Sequence, residues 1–362
     1  MKRKLLRLIS ADARISIQEL ARRMGVATHQ AHDMLTELSK EYGLMFVPEI
    51  DIERIGKFEF LKDARLRTKR GILAEALEEP HEVGFGEYVV LLKYTGKKPS
   101  DDEILKAVGA SYIPQFICRL NGNYDVFIYA VARSYEKALA FAEEMQGKLK
   151  RYNVVTHVNR VWMSFGYFPA SKSLLEQFDI FDSYKSLLIG LNEGGRAAFS
   201  MIGEKWRKEA SQMTYAYERL VMTQILKRVT YFETKPKNRL SALLSIKVTN
   251  REKFNGSKAK WISRLSTEYG KRENECTFMC NIPSPNGMLV IVSVENAKRL
   301  GRFMQIASSS LRGAVIEKMQ IKGIVLGRLG IRDYDILSVL PSSKRIVRQY
   351  GPQLRIFPNP DA

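Results

Sequence analysis

Cysteine is scarce. Cys118, Cys276 and Cys280 are the only three in 362 residues, too few to build a disulfide framework in a chain of this length. Cys276 and Cys280 have no histidine or second cysteine pair nearby, so their spacing does not read as a zinc site. The expectation is buried thiols in a reducing, cytoplasmic setting. Histidine is almost as sparing, with only His29, His32, His81 and His157. No Ser/His/Asp order, metal-ligand spacing or glycine-rich phosphate loop occurs, which argues against an enzyme and gives no reason to expect a metal or cofactor. Long apolar runs are missing too: none approaches the roughly 20 residues that span a bilayer. The opening Met1-Lys2-Arg3-Lys4 is basic, but the apolar stretch behind it runs only from Leu5 to Ile9 and is broken by Arg7. It reads as the start of a helix rather than a targeting signal.

Acidic residues are in the minority. Against 58 Lys and Arg stand 39 Asp and Glu, a net charge of +19. Residues 176–362 hold 31 of the basic and 17 of the acidic residues, and so most of the surplus. Such an excess suits a polyanionic partner, because Lys and Arg displace counterions from phosphates; it also serves solubility. A hydrophobic fraction of 45% allows each domain a core. The length suggests two to four domains.

The first domain is readable from its punctuation. Apolar Leu5, Leu6, Leu8 and Ile9 mark a first helix. Ser16, with Glu19 three residues on, has the form of a capping box. Ile17, Leu20, Ala21 and Met24 then recur at helical spacing up to Gly25, a residue suited to a helix C-terminus. Thr28 can cap a third helix with Ala31, Met34, Leu35 and Leu38 on its buried face. Two helices joined by a short glycine-centred turn are the layout of a helix-turn-helix, with the third helix as reader. Two strand-like runs, Leu44 to Pro48 and Lys57 to Leu61, flank the turn Asp51 to Gly56 and suit a wing. On that layout Thr28, His29, Gln30 and His32 face the bases, with Asp33 and Thr36 beside them. Asp33 would repel phosphate. Phosphate anchoring then falls to Arg14, Arg22 and Arg23, to Lys2, Arg3 and Lys4, and to the basic run Arg65 to Arg70.

These motifs carry a resemblance. Asp12-Ala13-Arg14-Ile15-Ser16 followed by Glu19-Leu20-Ala21, then Phe46-Val47-Pro48-Glu49-Ile50-Asp51 and Ile55-Gly56, resemble the DNA-binding domain of the Lrp/AsnC (feast/famine) transcription regulators. The family's reader is usually richer in Arg and Lys than this one.

Residues 88–165 alternate between strand and helix patterns in the order βαββαβ: Tyr88 to Tyr94, Asp101 to Val108, Gln115 to Leu120, Asp125 to Val131, Tyr135 to Leu149 and Val154 to Phe165. That order is a ferredoxin-like α+β unit. It resembles the effector-binding RAM domain of the same family, and Gly122, Tyr124 and Asp125 match its Gly-x-Tyr-Asp hairpin. The resemblance implies that these three lie near a small-molecule site, with an amino acid as the expected effector. The hairpin also needs such residues for itself: Gly122 for the turn, Tyr124 for packing, Asp125 to cap a backbone amide.

The unit is repeated. A shift of 182 residues brings Leu5 and Leu6 onto Leu187 and Leu188, Arg14 onto Arg196, Ile17 onto Phe199 and Leu38 onto Leu220. A second winged helix at 180–235 and a second βαββαβ unit follow. Its elements are Leu240 to Val248, Lys258 to Tyr269, Cys276 to Ile282, Met288 to Val294, Asn296 to Leu311 and Val315 to Leu326. Arg207 stands where the turn glycine Gly25 stood, and Pro285-Asn286-Gly287-Met288 lacks the Tyr-Asp pair. Lys205, Arg207, Lys208 and Arg219, with Lys227 and Arg228, supply basic charge near the second reader. The expected division is therefore 1–61, 62–170, 180–235, 236–330 and a C-terminal extension at 331–362, with joins near Pro169 to Gln177 and at Lys235 to Asn238.

The expected function is a cytoplasmic, sequence-specific regulator that binds double-stranded DNA as a homodimer or an internal pseudo-dimer, with no membrane partner. The two sheets of a pseudo-dimer would pack face to face or edge to edge. Two alternatives share the fold. Siroheme decarboxylases resemble these regulators, although their chemistry calls for His, Arg and Tyr groups around a tetrapyrrole carboxylate and histidines are few here. A ligand-sensing or protein-interaction module without DNA binding is the other.

Overall fold

The computed structural model describes residues 1–52, 54–55, 84–161, 163–166, 168–233, 240–269, 276–281, 287–294 and 296–327. The second wing strand expected at Lys57 to Leu61, the basic run Arg65 to Arg70, His81 and the extension 331–362 lie outside these residues.

The first winged helix comprises α1 (Lys2–Ala11), α2 (Ile17–Met24), α3 (Thr28–Tyr42) and β1 (Leu44–Ile50). Ser16 accepts the Glu19 N–H and caps α2, and Gly25 ends it with φ +73°, as the sequence foretold. The cap of α3 differs from expectation. Ala27, not Thr28, is the N-cap, and the Gln30 side chain turns back to accept the Ala27 N–H at 3.1 Å. Leu5, Ile9, Leu20, Met24, Leu35 and Leu38 are buried together, and Tyr231 joins them from far along the chain.

The first βαββαβ unit runs β2 (Gly86–Tyr94), α4 (Asp101–Val108), β3 (Pro114–Asn121), β4 (Val126–Ala132), α5 (Tyr135–Lys148) and β5 (Val154–Arg160), continued by β6 (Met163–Gly166). A short α6 (Lys172–Glu176) leads into the second winged helix: α7 (Asp182–Glu193), α8 (Phe199–Lys205), α9 (Ala210–Met222) and β7 (Leu226–Glu233). The second βαββαβ unit follows as β8 (Leu240–Val248), α10 (Arg251–Tyr269), β9 (Cys276–Asn281), β10 (Met288–Val294), α11 (Ala297–Ser310) and β11 (Ala314–Leu326). The chain is thus an α+β protein in which a winged helix and a ferredoxin-like unit occur twice.

Among the described residues the strand order is β5-β2-β4-β3-β11-β8-β10-β9-β6 in one nine-stranded sheet. Each unit contributes the 4-1-3-2 order of a ferredoxin-like fold. They join edge to edge twice, through β3 with β11 and through β9 with β6. Only residues 161 and 162 separate β5 from β6, so the two ends of this strand order are consecutive in the chain. The sheet therefore curls back on itself, and the outer edges of β3 and β9 are covered by β11 and β6.

Strand periodicity decides which side chains meet. Alternate residues Val89 and Leu91 (β2), Phe116 and Cys118 (β3), Phe127 and Tyr129 (β4) face inward, and Leu243, Leu289, Ile291 and Met319 of the second unit share their core. The residues between them point outward. Val90, Leu92 and Ile128 pack under α4 and α5, and Leu244, Val290 and Val292 pack under α10 and α11. The two expected modes of pairing, face to face and edge to edge, are both realised. Each fully buried Leu, Ile or Phe in such a core contributes on the order of 2 kcal/mol.

The stretch read as a join between repeats is itself packed. Phe168, Leu174, Leu175 and Phe178 are buried. Phe168 stacks on Phe116 with ring centroids 4.6 Å apart, and Phe178 meets Phe85 edge-on at 5.0 Å. Arg133 donates to the Gln177 carbonyl at 2.6 Å.

Gly122 sits where the two units touch. A Cβ built there would lie 2.6 Å from Met319 Cγ and 3.3 Å from Met319 Cα. Gly122→Ala is therefore expected to lower stability by about 1–3 kcal/mol through overpacking, read as a fall in the midpoint of urea or thermal unfolding; an unchanged midpoint would show that the units do not approach this closely.

Candidate nucleic-acid interface

The wing strands do not form local hairpins among the described residues. Instead β1 and β7 pair with each other, antiparallel, from Leu44 opposite Glu233 to Ile50 opposite Leu226. The two winged helices are thereby joined through a shared two-stranded sheet.

Two arginines complete the join. Arg14 Nη1 donates to the carbonyls of Gly195 and Ala197 at 2.9 and 3.0 Å. Arg196, 182 residues on, donates from Nη1 to the Ala13 carbonyl and from Nη2 to the Ile15 carbonyl, the latter at 3.0 Å. Each arginine thus ties the loop before α2 or α8 of its own winged helix to the same loop of the other. Burial is the main force lowering both guanidinium pKa values; the Arg14 charge lowers that of Arg196 further, and the shift is countered by Tyr217 and Asp12 at Arg14 and by Asp12 at Arg196. Arg14 was expected to contact phosphate. Its charge is instead spent inside the protein, because the pseudo-twofold places it against carbonyls that need a donor.

The expected readers are α3 and α9. Thr28, His29, His32 and Asp33 are exposed on α3, in keeping with a base-facing surface. Gln30 is also exposed, but its carbonyl oxygen is engaged in the cap. Gln212 does the same for α9, accepting the Glu209 N–H at 3.3 Å. These glutamines are 182 apart and build the start of each reader. Besides Gln212, the exposed polar residues along α9 are Ser211, Thr214, Tyr215, Glu218 and Arg219. Arg219 donates to the Tyr215 hydroxyl at 2.9 Å and lies over its ring.

Arg22 and Arg23 lie at the end of α2, both held by Glu19 at 2.6 Å. Hydrogen bonds from Arg22 and then Arg23 pull the Glu19 carboxyl down to about 2. All three are close to the surface, so phosphate can compete for the arginines. Lys205 is paired with Glu193, and Lys208 with Asp182 at 2.5 Å. Arg207 adopts φ +53°, the left-handed conformation of Gly25. The second turn is therefore preserved in shape although its glycine is gone, at a cost of about 1–2 kcal/mol. The surplus of the second half is not carried on its reader, whose one cation is Arg219. Arg251, Lys253, Lys260, Arg264, Lys298 and Arg302 are instead exposed on α10 and α11.

The hairpin residues have structural employment. Asp125 is buried; it accepts the Tyr94 N–H at 2.8 Å and pairs with Lys98 at 2.6 Å. Tyr124 packs edge-on to His157 at 5.5 Å. Gly122 makes room for Met319. The resemblance-based expectation of a ligand at these three gives way to the packing alternative, since Asp125 has little exposure and its acceptors are already matched. Among the described residues, no group of His, Cys, Asp and Glu could hold a metal ion, and no helix is long and apolar enough to cross a membrane.

A family model described as winged helix-turn-helix DNA-binding matches residues 1–41. The chain opens with a winged helix-turn-helix domain. Across the whole chain the fold is similar to the crystal structure of the siroheme decarboxylase NirDL, with a TM-score of 0.56 at 10% identity over 93% of this chain and 95% of that one. NirDL in co-complex with an iron-uroporphyrin III analogue aligns comparably, at 0.55 and 9% identity over 92% and 95%. The structure of E. coli AsnC aligns over 40% of this chain and 93% of its own, with a TM-score of 0.33 and 11% identity. No curated protein matches the sequence.

If Arg14 is an internal tie, Arg14→Lys fails almost as badly as Arg14→Ala, because a lysine keeps the charge but is shorter and lacks the planar guanidinium that lies over Phe199 while Nη1 donates to both carbonyls. Both substitutions are expected to cost about 2–3 kcal/mol in urea unfolding, the worth of a charged hydrogen-bond pair. A wild-type unfolding curve for Arg14→Lys would return Arg14 to the surface.

Proposed function

We propose that this protein is a sequence-specific DNA-binding transcription regulator that reads an asymmetric site with two unlike winged helices held in one chain. The observation that carries this reading is the β1–β7 pairing reinforced by Arg14 and Arg196. It fixes the two readers relative to each other as a symmetric dimer of regulators would. Paired readers ordinarily meet successive major grooves about 34 Å apart. Here the faces differ: Thr28, His29, His32 and Asp33 on α3, and Ser211, Thr214, Tyr215, Glu218 and Arg219 on α9. Unlike faces call for unlike half-sites. The chain acts as its own pseudo-dimer, and the exposed cations of α2, α10 and α11 supply affinity for phosphate that weakens with salt.

Selection of bound sequences from random duplex DNA tests this directly. The expected product is a two-part, non-palindromic motif, with Arg219→Ala relaxing only one part. A perfect palindrome, or no enriched sequence at all, would sink the reading.

The likeness to NirDL over the full chain favours a second reading, an enzyme acting on a tetrapyrrole. Of the four histidines, His29 and His32 lie on α3 and His157 is exposed on β5. Among the described residues, the one imidazole on the inward side of the sheet, that of His157 opposite Leu91, is exposed rather than buried. Incubation with siroheme is accordingly expected to leave the visible spectrum unchanged; a time-dependent shift would replace the regulator reading with the enzymatic one.

A further inference from the structure

The two arginine ties match in their hydrogen bonds but not in what covers the guanidinium. Over Arg14 lie the Phe199 ring at 4.1 Å and the Tyr217 ring at 5.6 Å, with the two rings 5.3 Å apart. The chain's own aromatic side chains fill that slot. The corresponding residues of the first winged helix, 182 positions earlier, are Ile17 and Leu35. Neither brings a ring to Arg196, which has Phe46 at 5.6 Å. Beside it an open cleft of about 470 Å³ remains, walled by Ile17, Leu35, Phe46 and Arg196.

The rim differs in the same sense. On the open side it carries His32, Thr36, Ser39 and Lys40. The positions matching the last three in the filled half are Glu218, Val221 and Met222. A cation and two hydroxyls thus stand where the filled half has a carboxylate and two apolar groups. Two nearby carboxylates of α3, Glu37 and Glu41, are engaged by Lys2 at 3.0 and 3.2 Å, and Asp33 lies 3.5 Å from His32 Nδ1.

We propose that this cleft binds a small aromatic carboxylic acid. The ring takes the place that Phe199 and Tyr217 take in the other half, against the face of the guanidinium and the side chains of Ile17, Leu35 and Phe46. Arg196 spends two of its five N–H groups on Ala13 and Ile15, and a ring against the face of its plane leaves both bonds in place. The carboxylate reaches Lys40 at the rim, with the Thr36 and Ser39 hydroxyls as further donors. The volume suits a single ring with a short acidic arm. Because His32, Leu35, Thr36, Ser39 and Lys40 all belong to α3, an occupant lies against the first reader itself, and the sensor sits in the winged helix rather than at the Gly122–Asp125 hairpin.

The binding can be tested on the full chain without DNA, so its failure is separable from failure of the regulator reading. Phenylacetate is the probe, followed by calorimetry and ligand-observed NMR. The expected apparent Kd is on the order of 1 mM, as befits a ten-atom ligand. Cyclohexylacetate has the same charge without the π-face and should bind about fivefold more weakly or worse. The cation 2-phenylethylamine should show no saturable binding. The double substitution Ile17→Phe with Leu35→Tyr rebuilds the filled arrangement of the other half and is expected to weaken phenylacetate binding by about tenfold or more, through simple exclusion. Lys40→Gln, at an exposed position, should leave the fold intact and weaken binding about threefold or more. The proposal is overturned by an absence of saturable phenylacetate binding, by equal affinity for cyclohexylacetate, or by an affinity unaltered in Lys40→Gln.

Discussion

Two strands outrun the domains that contain them, and the architecture depends on it. The first half of β11 pairs with β8 of its own unit, from Ala314 opposite Val248 to Gln320 opposite Ala242. The second half crosses over and pairs with β3, from Gln320 opposite Asn121 to Leu326 opposite Ile117. The β5–β6 path does the reciprocal work, with β5 on β2 and β6 on β9. Each unit completes the edge that the other leaves open. Backbone hydrogen bonds left unpaired at such an edge invite foreign strands, so the two crossings hold the halves together and protect them in one step.

At the other end of the molecule the same approximate symmetry is enforced with charge. Placing two guanidiniums near each other is unfavourable, and the charge of Arg14 lowers the Arg196 pKa. The arrangement holds because each finds carbonyls on the opposite winged helix. Symmetry ends at the side chains around them. Phe199 and Tyr217 bury one guanidinium, whereas Ile17 and Leu35 leave the other beside a cleft. A symmetric dimer could not make that distinction, because any substitution would appear on both sides. Duplication inside one chain permits a common frame with separately tuned faces.

Most of the local structure was legible in the sequence. The apolar run Met288 to Val294 is a fully buried strand with the expected limits, and Ser16 and Gly25 bound α2 as read. Local signals suffice where a residue's partner is a few positions away. They failed where the partner was remote. Nothing in Leu44 to Ile50 announces that it pairs with Leu226 to Glu233. Arg14 was read as a surface cation because its acceptors, Gly195 and Ala197, lie some 180 residues away. Gln30 was read as a base contact although its position, three residues after Ala27, is that of a capping side chain. The replacement of Gly25 by Arg207 suggested an altered turn, yet the backbone kept its left-handed form, since the packing around a turn can override the preference of one residue.

The crossing of β11 also sets an order of events. Its second half meets β3 across roughly 200 residues of chain, and pairings of such separation form late because the loop they close is long. During synthesis the first βαββαβ unit emerges with the outer edge of β3 unpaired and with the inner-facing Phe116, Phe127 and Tyr129 lacking their opposite wall. Until residues 314–326 leave the ribosome, that half is an incomplete shell with an adhesive rim. A chain that stops before β11 keeps that edge of β3 open, the kind of edge that pairs with foreign strands.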